Sequence, residues 1–183
     1  MTKKVLVPIA DGCEEIEAVC IIDVLRRAGA DVTVASVNQK QITASRGVKL
    51  VADKLISECV DDTYDLIALP GGMPGAEHLR DSKELTLLLQ HQKEGGRLYA
   101  AICAAPAVVF QHHGLLNDRL STTHPNFVEK LANTEKVNSR VVVDGTCVTS
   151  RAPGTALEFA LTLVELLYSG QKSKDIAQPM LVN

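Results

Sequence analysis

The sequence predicts an α/β fold, a three-layer flavodoxin-like sandwich in which a mostly parallel sheet lies between two layers of helices. Short runs of aliphatic and β-branched residues alternate along the chain with longer amphipathic segments, an order typical of parallel sheets. The strand-like runs are apolar throughout, as expected for strands that are covered on both faces. The length of 183 residues favours one domain over 1–183.

The elements are predicted in the following order along the chain. Strands are expected at 3–9, 31–37, 65–70 and 97–102, with shorter candidates at 41–45 and 48–52 and a hairpin over 139–151. Helices are expected at 14–29, 82–94, 104–113 and 153–170. The first has acidic residues in its first turn and arginines in its last, and Asp81 with Glu84 forms a candidate capping box for the second.

Composition excludes several classes of protein. With 19 Lys and Arg against 22 Asp and Glu, and only six aromatic residues, the chain lacks the basic face and the stacking platforms of a nucleic-acid binder. The five cysteines are scattered without CxxC spacing, so neither a metal site nor a disulfide framework is expected. The longest apolar run, 99–110, is far shorter than the ~20 residues of a membrane span. We therefore expect a cytoplasmic protein with reduced thiols and no membrane association.

The first strand ends in an acidic loop, PIADGCEEIE at 8–17. Such a loop repels phosphate, which weighs against a flavin or nucleotide cofactor. A favourable position at a helix N-terminus is sufficient to explain Glu14 and Glu15. Glu17 lies among apolar residues where the helix is expected to face inward, so it is either structural or a buried proton donor.

Two later strand ends carry further candidates. Gly71 and Gly72 predict either a plain turn or backbone amides exposed as an oxyanion hole. Cys103 follows a strand directly and precedes a helix, with the small residues Ala101 and Ala105 two positions away on either side. This is the pattern of a nucleophile elbow, in which the helix N-terminus favours a thiolate. A buried core cysteine is the alternative.

A cysteine nucleophile often works with a base, and the chain has five histidines. His124 lies in a polar turn, STTHPNF, from which it could reach the strand ends. Exposed, helix-terminal or loop positions are sufficient to explain the others, His78, His91, His112 and His113.

With these residues assembled, the sequence resembles the ThiJ/PfpI superfamily, in the branch that holds the parkinsonism-associated deglycase and its bacterial counterparts. The resemblance covers nearly the whole chain. The segments that carry it are ADGCEEIE (10–17), VLRRAG (24–29), SRGV (45–48), LPGG (69–72), AAICAAP (100–106), TTHP (122–125) and TSRAPGT (149–155).

The resemblance implies a role for each matching residue. Cys103 would be the reactive residue, hydrogen-bonded by a protonated Glu17. The amides of Gly72 and Ala104 would form the oxyanion hole, with His124 nearby. The peptidase-like branch has a histidine immediately after the cysteine, and Ala104 stands there in this chain, so proteolysis is not expected.

The resemblance also implies an activity and partners. The expected enzyme is a cofactor-free deglycase and glyoxalase that acts on methylglyoxal, glyoxal and glycated proteins or nucleotides. A homodimer is expected through the first helix, with Arg27 and Arg46 at the interface or near the site. A redox-regulated chaperone with unfolded or thiol-bearing clients is the alternative, and a flavodoxin-like binding module is a third reading that the acidic loop disfavours.

Overall fold

A computed structural model describes residues 2–182. The described strands are β1 (Lys4–Ile9), β2 (Asp31–Ser36), β3 (Gln41–Thr43), β4 (Lys49–Val51), β5 (Lys54–Leu55), β6 (Leu66–Leu69), β7 (Leu98–Ile102), β8 (Val141–Asp144) and β9 (Cys147–Ser150). The described helices are α1 (Glu15–Arg27), α2 (Gly75–Asp81), α3 (Lys83–Glu94), a π-helix (Pro106–Gln111), α4 (Ala156–Leu167) and α5 (Gly170–Ala177). None of these helices is long and apolar enough to cross a membrane.

Seven strands form one sheet in the order β5-β2-β1-β6-β7-β9-β8, and β3 pairs with β4 in a separate antiparallel hairpin. All neighbours in the large sheet run parallel except β8 and β9. The predicted α/β fold is confirmed. Side chains of β1 alternate between two cores, with Val5 and Val7 on the side of α1 and α4 and Leu6 on the side of α2 and α3.

Helix α1 forms where the sequence predicts a helix, but it is shorter than the predicted 14–29. Glu14 is the N-cap, and its side chain accepts a hydrogen bond from the backbone N–H of Glu17 at 2.8 Å. The helix ends at Arg27, and Gly29 follows with a φ of 84°. The buried face of α1 packs against α4.

The predicted capping box of Asp81 and Glu84 is wrong. The N-cap of α3 is Ser82, whose hydroxyl accepts from the backbone N–H of Leu85 at 3.3 Å. Asp81 instead ends α2 and forms a two-point ion pair with Arg80. Helix α2 was not predicted because its sequence begins with Pro-Gly, a pattern typical of turns.

Two predicted helices differ in detail from the structure. The segment predicted as a helix over 104–113 is a π-helix whose wider turn includes a bond from the N–H of Leu115 to the carbonyl of Phe110 at 2.9 Å. The helix predicted at 153–170 begins with a 3₁₀ turn, Pro153–Thr155, and ends at Leu167. Ser169 then caps α5, which was not predicted.

Candidate active site

Strands β1, β6 and β7 are parallel neighbours, so their carboxyl ends meet at one edge of the sheet. Cys103 follows β7 with a φ of 64°, a left-handed conformation that is costly for a residue with a side chain. Its N–H donates to the carbonyl of Ser150 at 3.0 Å. Its carbonyl accepts from the hydroxyl of Thr123 at 2.7 Å and the N–H of His124 at 2.8 Å. These bonds fix the strained backbone, and the predicted elbow is present.

The Gly71-Gly72 turn contacts the elbow directly. A Cβ on Gly71 would lie 2.7 Å from the Cβ of Cys103 and 2.8 Å from the amide nitrogen of Ala104. Gly72 has a φ of +86°, and a Cβ there would collide with the backbone N–H of Glu14. Glycine is therefore required at both positions, because the turn is pressed between the elbow and the start of α1.

The carboxyl group of Glu17 is fully buried, as predicted, and points toward the same turn. Its Oε2 accepts from the N–H of Gly71 at 2.8 Å, while Oε1 is buried without a partner among the described residues. Burial raises the pKa of Glu17 to about 7, although the N–H of Gly71 and the neighbouring Cys103 thiol oppose this shift. Glu17 is thus a carboxyl group that can hold a proton near neutral pH.

The thiol of Cys103 is 8% exposed, and its pKa is not lowered as the elbow pattern predicts. Burial raises the pKa of Cys103 to about 12, and the charge of Glu17 raises it further, while the amides of Gly72 and Ala104 lower it. Because a charged Glu17 disfavours the thiolate, the pair carries at most one negative charge at neutral pH. A thiolate forms here only when Glu17 holds the proton.

A cavity of about 350 Å³ opens over Cys103. Its walls come from the start of α1, the β3–β4 loop, the Gly-Gly turn, the elbow, the segment that begins at His124 and the turn before α4. The lining residues are Glu14, Ser45, Arg46, Gly72, Met73, Cys103, Ala104, His124, Phe127 and Pro153. The volume is at the lower end of the range for small-molecule sites. The cavity therefore suits a small substrate or one end of a larger one.

His124 lies at the cavity, as predicted. Its Nδ1 accepts from the backbone N–H of Asn126 at 3.2 Å, so a neutral ring carries its proton on Nε2. The ring also packs edge-on against Phe127. His124 therefore lines the cavity with an Nε2 that has no hydrogen-bond partner among residues 2–182.

Arg46 and Arg27, both expected at an interface or near the site, lie in different places. Arg46 lines the cavity, and its loop is held by Glu15, which accepts from the N–H of Arg46 and the hydroxyl of Ser45, both at 2.8 Å. Arg27 does not line the cavity, and it pairs with Asp23 on the exposed face of α1 at 2.6 Å. Within one chain Arg27 therefore does not contribute to the cavity, and its placement at a dimer interface or near the site of a partner stays a prediction.

Sequence reasoning missed several residues that build the site. Burial raises the pKa of Glu15, but bonds from its own backbone, Ser45 and Arg46 outweigh it and leave that pKa below its ordinary value. This carboxylate anchors the cavity wall, although the sequence offered only a helix-start explanation. His78 lies in α2 rather than a loop, and its Nδ1 contacts the carbonyl of Asp11 at 2.9 Å.

The cysteine and metal findings apply to residues 2–182. All five cysteines are free. No group of three or more His, Cys, Asp or Glu side chains is arranged to hold a metal ion within that range. Cys103 alone among the thiols lines the cavity over the strand ends.

The sequence matches known proteins over nearly its whole length. The model of the DJ-1/PfpI family matches residues 3–166. The chain is 52% identical over 183 residues to Protein DJ-1 homolog B of Arabidopsis thaliana, covering 99% of this chain but only 42% of that longer protein. It is 34% identical to the Glutathione-independent glyoxalase DJR-1.2 of Caenorhabditis elegans, covering 96% of this chain and 94% of that protein.

A solved structure extends the likeness to three dimensions. The structure entitled Toxoplasma gondii DJ-1, oxidized, superposes with a TM-score of 0.97 at 52% identity and covers 99% of both chains. The family model spans most of the chain, and the likeness to these relatives holds over its whole length. The chain belongs to the DJ-1/PfpI family.

Proposed function

We propose that the chain is a cofactor-independent glyoxalase and deglycase that acts on methylglyoxal, glyoxal and their early adducts through Cys103. The observation that carries this proposal is the buried carboxyl group of Glu17, with a raised pKa and an unpartnered oxygen, beside a thiol at a strained elbow. The name of the C. elegans relative supports the glyoxalase activity. The cavity of about 350 Å³ suits a three-carbon dicarbonyl.

The first step forms a carbon–sulfur bond. The thiolate of Cys103 attacks the aldehyde carbon, and the electron pair of the C=O bond moves to oxygen. The amides of Gly72 and Ala104, which favour negative charge at this position, stabilise that oxyanion. Protonated Glu17 then donates its proton to the oxyanion, giving a neutral hemithioacetal and a carboxylate.

Later steps use the same carboxyl group in the opposite direction. The Glu17 carboxylate removes the proton from the former aldehyde carbon and returns it to the adjacent carbon, while the hydroxyl proton moves to the ketone oxygen, converting the hemithioacetal into a thioester of lactate. His124 donates a hydrogen bond to the ketone oxygen during this transfer. Water hydrolyses the thioester, releasing lactate and the thiol, so methylglyoxal and one water give one lactic acid. From glyoxal the product is glycolate.

An early adduct carries the same dicarbonyl carbons on an amine or thiol of a protein or nucleotide. In the deglycase reaction, Cys103 attacks the carbinol carbon of the adduct, Glu17 protonates the leaving group, and the repaired group departs. The dicarbonyl carbons stay bound to Cys103 as the same hemithioacetal, which then reacts as described for the free aldehyde. Five free thiols suit a reducing compartment, so the cytoplasm is the proposed location.

The test compares two cysteine variants. We expect Cys103→Ser to lower kcat/KM for methylglyoxal by at least about 10³-fold, because the hydroxyl is a poor nucleophile without a strong base. Cys20→Ser is the matched control, because Cys20 is half-buried on α1 and does not line the cavity. Lactate formation by both folded variants is the measurement. Undiminished turnover by Cys103→Ser would overturn the proposal.

A homodimer is proposed from an apolar surface. Four aliphatic side chains are exposed on two elements. They are Ile16 and Val19 on α1, Val48 in the loop between β3 and β4, and Val51 on β4. The hairpin and α1 pack on the same core cluster, so these side chains share one side of the molecule. Association would remove this apolar surface from water.

A redox-regulated chaperone is the second candidate function, supported by the oxidised state named for the Toxoplasma relative. The Cys103 thiolate would take one oxygen from hydrogen peroxide, giving a sulfenate and water. We expect limiting peroxide to increase suppression of client aggregation by the wild type but not by Cys103→Ser. Suppression without any aldehyde turnover would favour this function over the first.

A further inference from the structure

A second cavity, lined by several charged side chains, adjoins the cavity over Cys103. Its volume is also about 350 Å³, and Met73 and Phe127 line both cavities, so the two share a wall. Residues on three sides of the second cavity include Glu77, Arg80, His112 and Lys130.

The elements that form the catalytic cavity continue into the second. The Gly-Gly turn and Met73 lead into α2, which contributes Glu77 and Arg80. The π-helix begins at Pro106, three residues after Cys103, and ends next to His112. The 3₁₀ segment Pro125–Lys130 begins at His124 over the thiol and ends at Lys130 in the second cavity. A substrate held at Cys103 therefore has its next contacts here.

The charges in the second cavity favour a single anion. The whole chain has a formal charge of −3, but the cavity is lined by two cations, Arg80 and Lys130, and one anion, Glu77. The side-chain ammonium group of Lys130 forms no ion pair with any residue of 2–182. Arg80 binds Asp81 through Nε and Nη2, which leaves Nη1 without a partner in the same range.

We propose that this second cavity binds one carboxylate carried by the substrate, placing Lys130 and Arg80 as the residues that select an acidic peptide bearing the dicarbonyl adduct. The inference rests on the proposed function, because the adduct itself is held at Cys103. Since Asp81 already pairs with Arg80, the ammonium group of Lys130, which has no ion-pair partner among residues 2–182, is the charge that one substrate carboxylate would balance. A nucleoside di- or triphosphate fits less well, because its further charges would face Glu77.

The experiment uses matched peptides treated with methylglyoxal, each with one thiol adduct and with Asp or Asn two residues away. We expect the wild type to prefer the Asp peptide in kcat/KM by about fivefold, the ratio that an exposed ion pair provides. Lys130→Gln should abolish most of this preference, and Lys130→Arg should restore it. Added salt should reduce the preference in the wild type, because both partners are solvent-accessible.

Three controls separate the possible results. Lys174→Gln removes one exposed charge from α5, away from both cavities, and should retain the wild-type preference. The Lys130→Gln variant should turn over free methylglyoxal at the wild-type rate. A wild type that does not turn over methylglyoxal would refute the proposed function itself. Equal rates on both peptides with normal methylglyoxal turnover would overturn only this inference. A Lys130-dependent preference for adducts of guanosine triphosphate over the Asp peptide would also overturn it.

Discussion

At the scale of single residues, Cys103 and Glu17 have to be considered together. The elbow pattern in the sequence predicts a lowered thiol pKa, but the structure buries the thiol beside a carboxyl group. The Glu17 carboxylate raises the pKa of Cys103, whereas the Cys103 thiol lowers the pKa of Glu17, so their protonation is coupled. The backbone amides of Gly72 and Ala104 lower the pKa of Cys103, but burial and the charge of Glu17 outweigh them.

The first residue-scale prediction concerns the pH dependence of stability. Burial raises the pKa of Glu17 from 4.5 to about 7, so the folded state binds more protons than the unfolded state between these values. Stability is therefore lost as the pH rises through this window. Glu17→Gln removes this titration, and its stability relative to wild type should rise by up to about 3 kcal/mol between pH 4 and pH 8.

Urea unfolding at fixed protein concentration, repeated across the pH range, measures this difference. A difference in unfolding free energy that is the same at pH 4 and pH 8 would contradict the raised pKa. The same variant should lose turnover of methylglyoxal at every pH, because an amide cannot remove the proton from carbon.

At the scale of elements, the Gly-Gly turn after β6 determines whether the site can form. The turn lies between the elbow and the N-terminus of α1, and it leaves no space for a side chain. Two other structural features hold the cavity wall on the opposite side. Glu15 binds the loop at Ser45 and Arg46, and Asp11 accepts from the N–H of Thr43 at 2.7 Å.

Gly72→Ala should destabilise the fold by at least about 3 kcal/mol, because it combines a left-handed backbone with a collision against α1. Gly29→Ala is the matched control, since Gly29 has a similar φ of +84° but nothing within 4 Å of the added Cβ. We expect that change to cost about 1–2 kcal/mol. Thermal unfolding of both variants distinguishes backbone strain from steric collision. An equal loss of stability in the two variants would contradict the predicted collision at Gly72.

At the scale of the whole molecule, the apolar side formed by α1 and the hairpin bears on the proposed dimer. The order of strands places β1 near the centre of the sheet, so α1 and the acidic loop lie beside the active site. Because Glu15 links α1 to the loop of Arg46, any partner that covers this side would also fix a wall of the cavity. Assembly and activity are therefore expected to depend on each other.

Val51→Glu should convert the dimer into a monomer, because it places a charge on a 68% exposed valine of the proposed interface. Val143→Glu is the control, since Val143 is 46% exposed but lies on β8 at the far edge of the sheet. Sedimentation velocity at several concentrations measures both variants. A wild type that sediments as a monomer at all concentrations would contradict the proposal.

The sequence alone determined the fold class, most element positions and the residues at three strand ends. Apolar strand runs, a hairpin turn at Asp144-Gly145 and small residues around Cys103 are local signals, because backbone geometry limits which residues can occupy these positions. Helix α2 and the Ser82 cap escaped prediction because their local signals are ambiguous.

Only the tertiary structure decided how those residues act on one another. The raised pKa values of Glu17 and Cys103 and the second cavity depend on groups far apart in the chain. The same holds for the positions of the two arginines, one at the cavity and one on an exposed helix face. Desolvation and charge coupling depend on distance in space, which the order of residues along a chain does not specify.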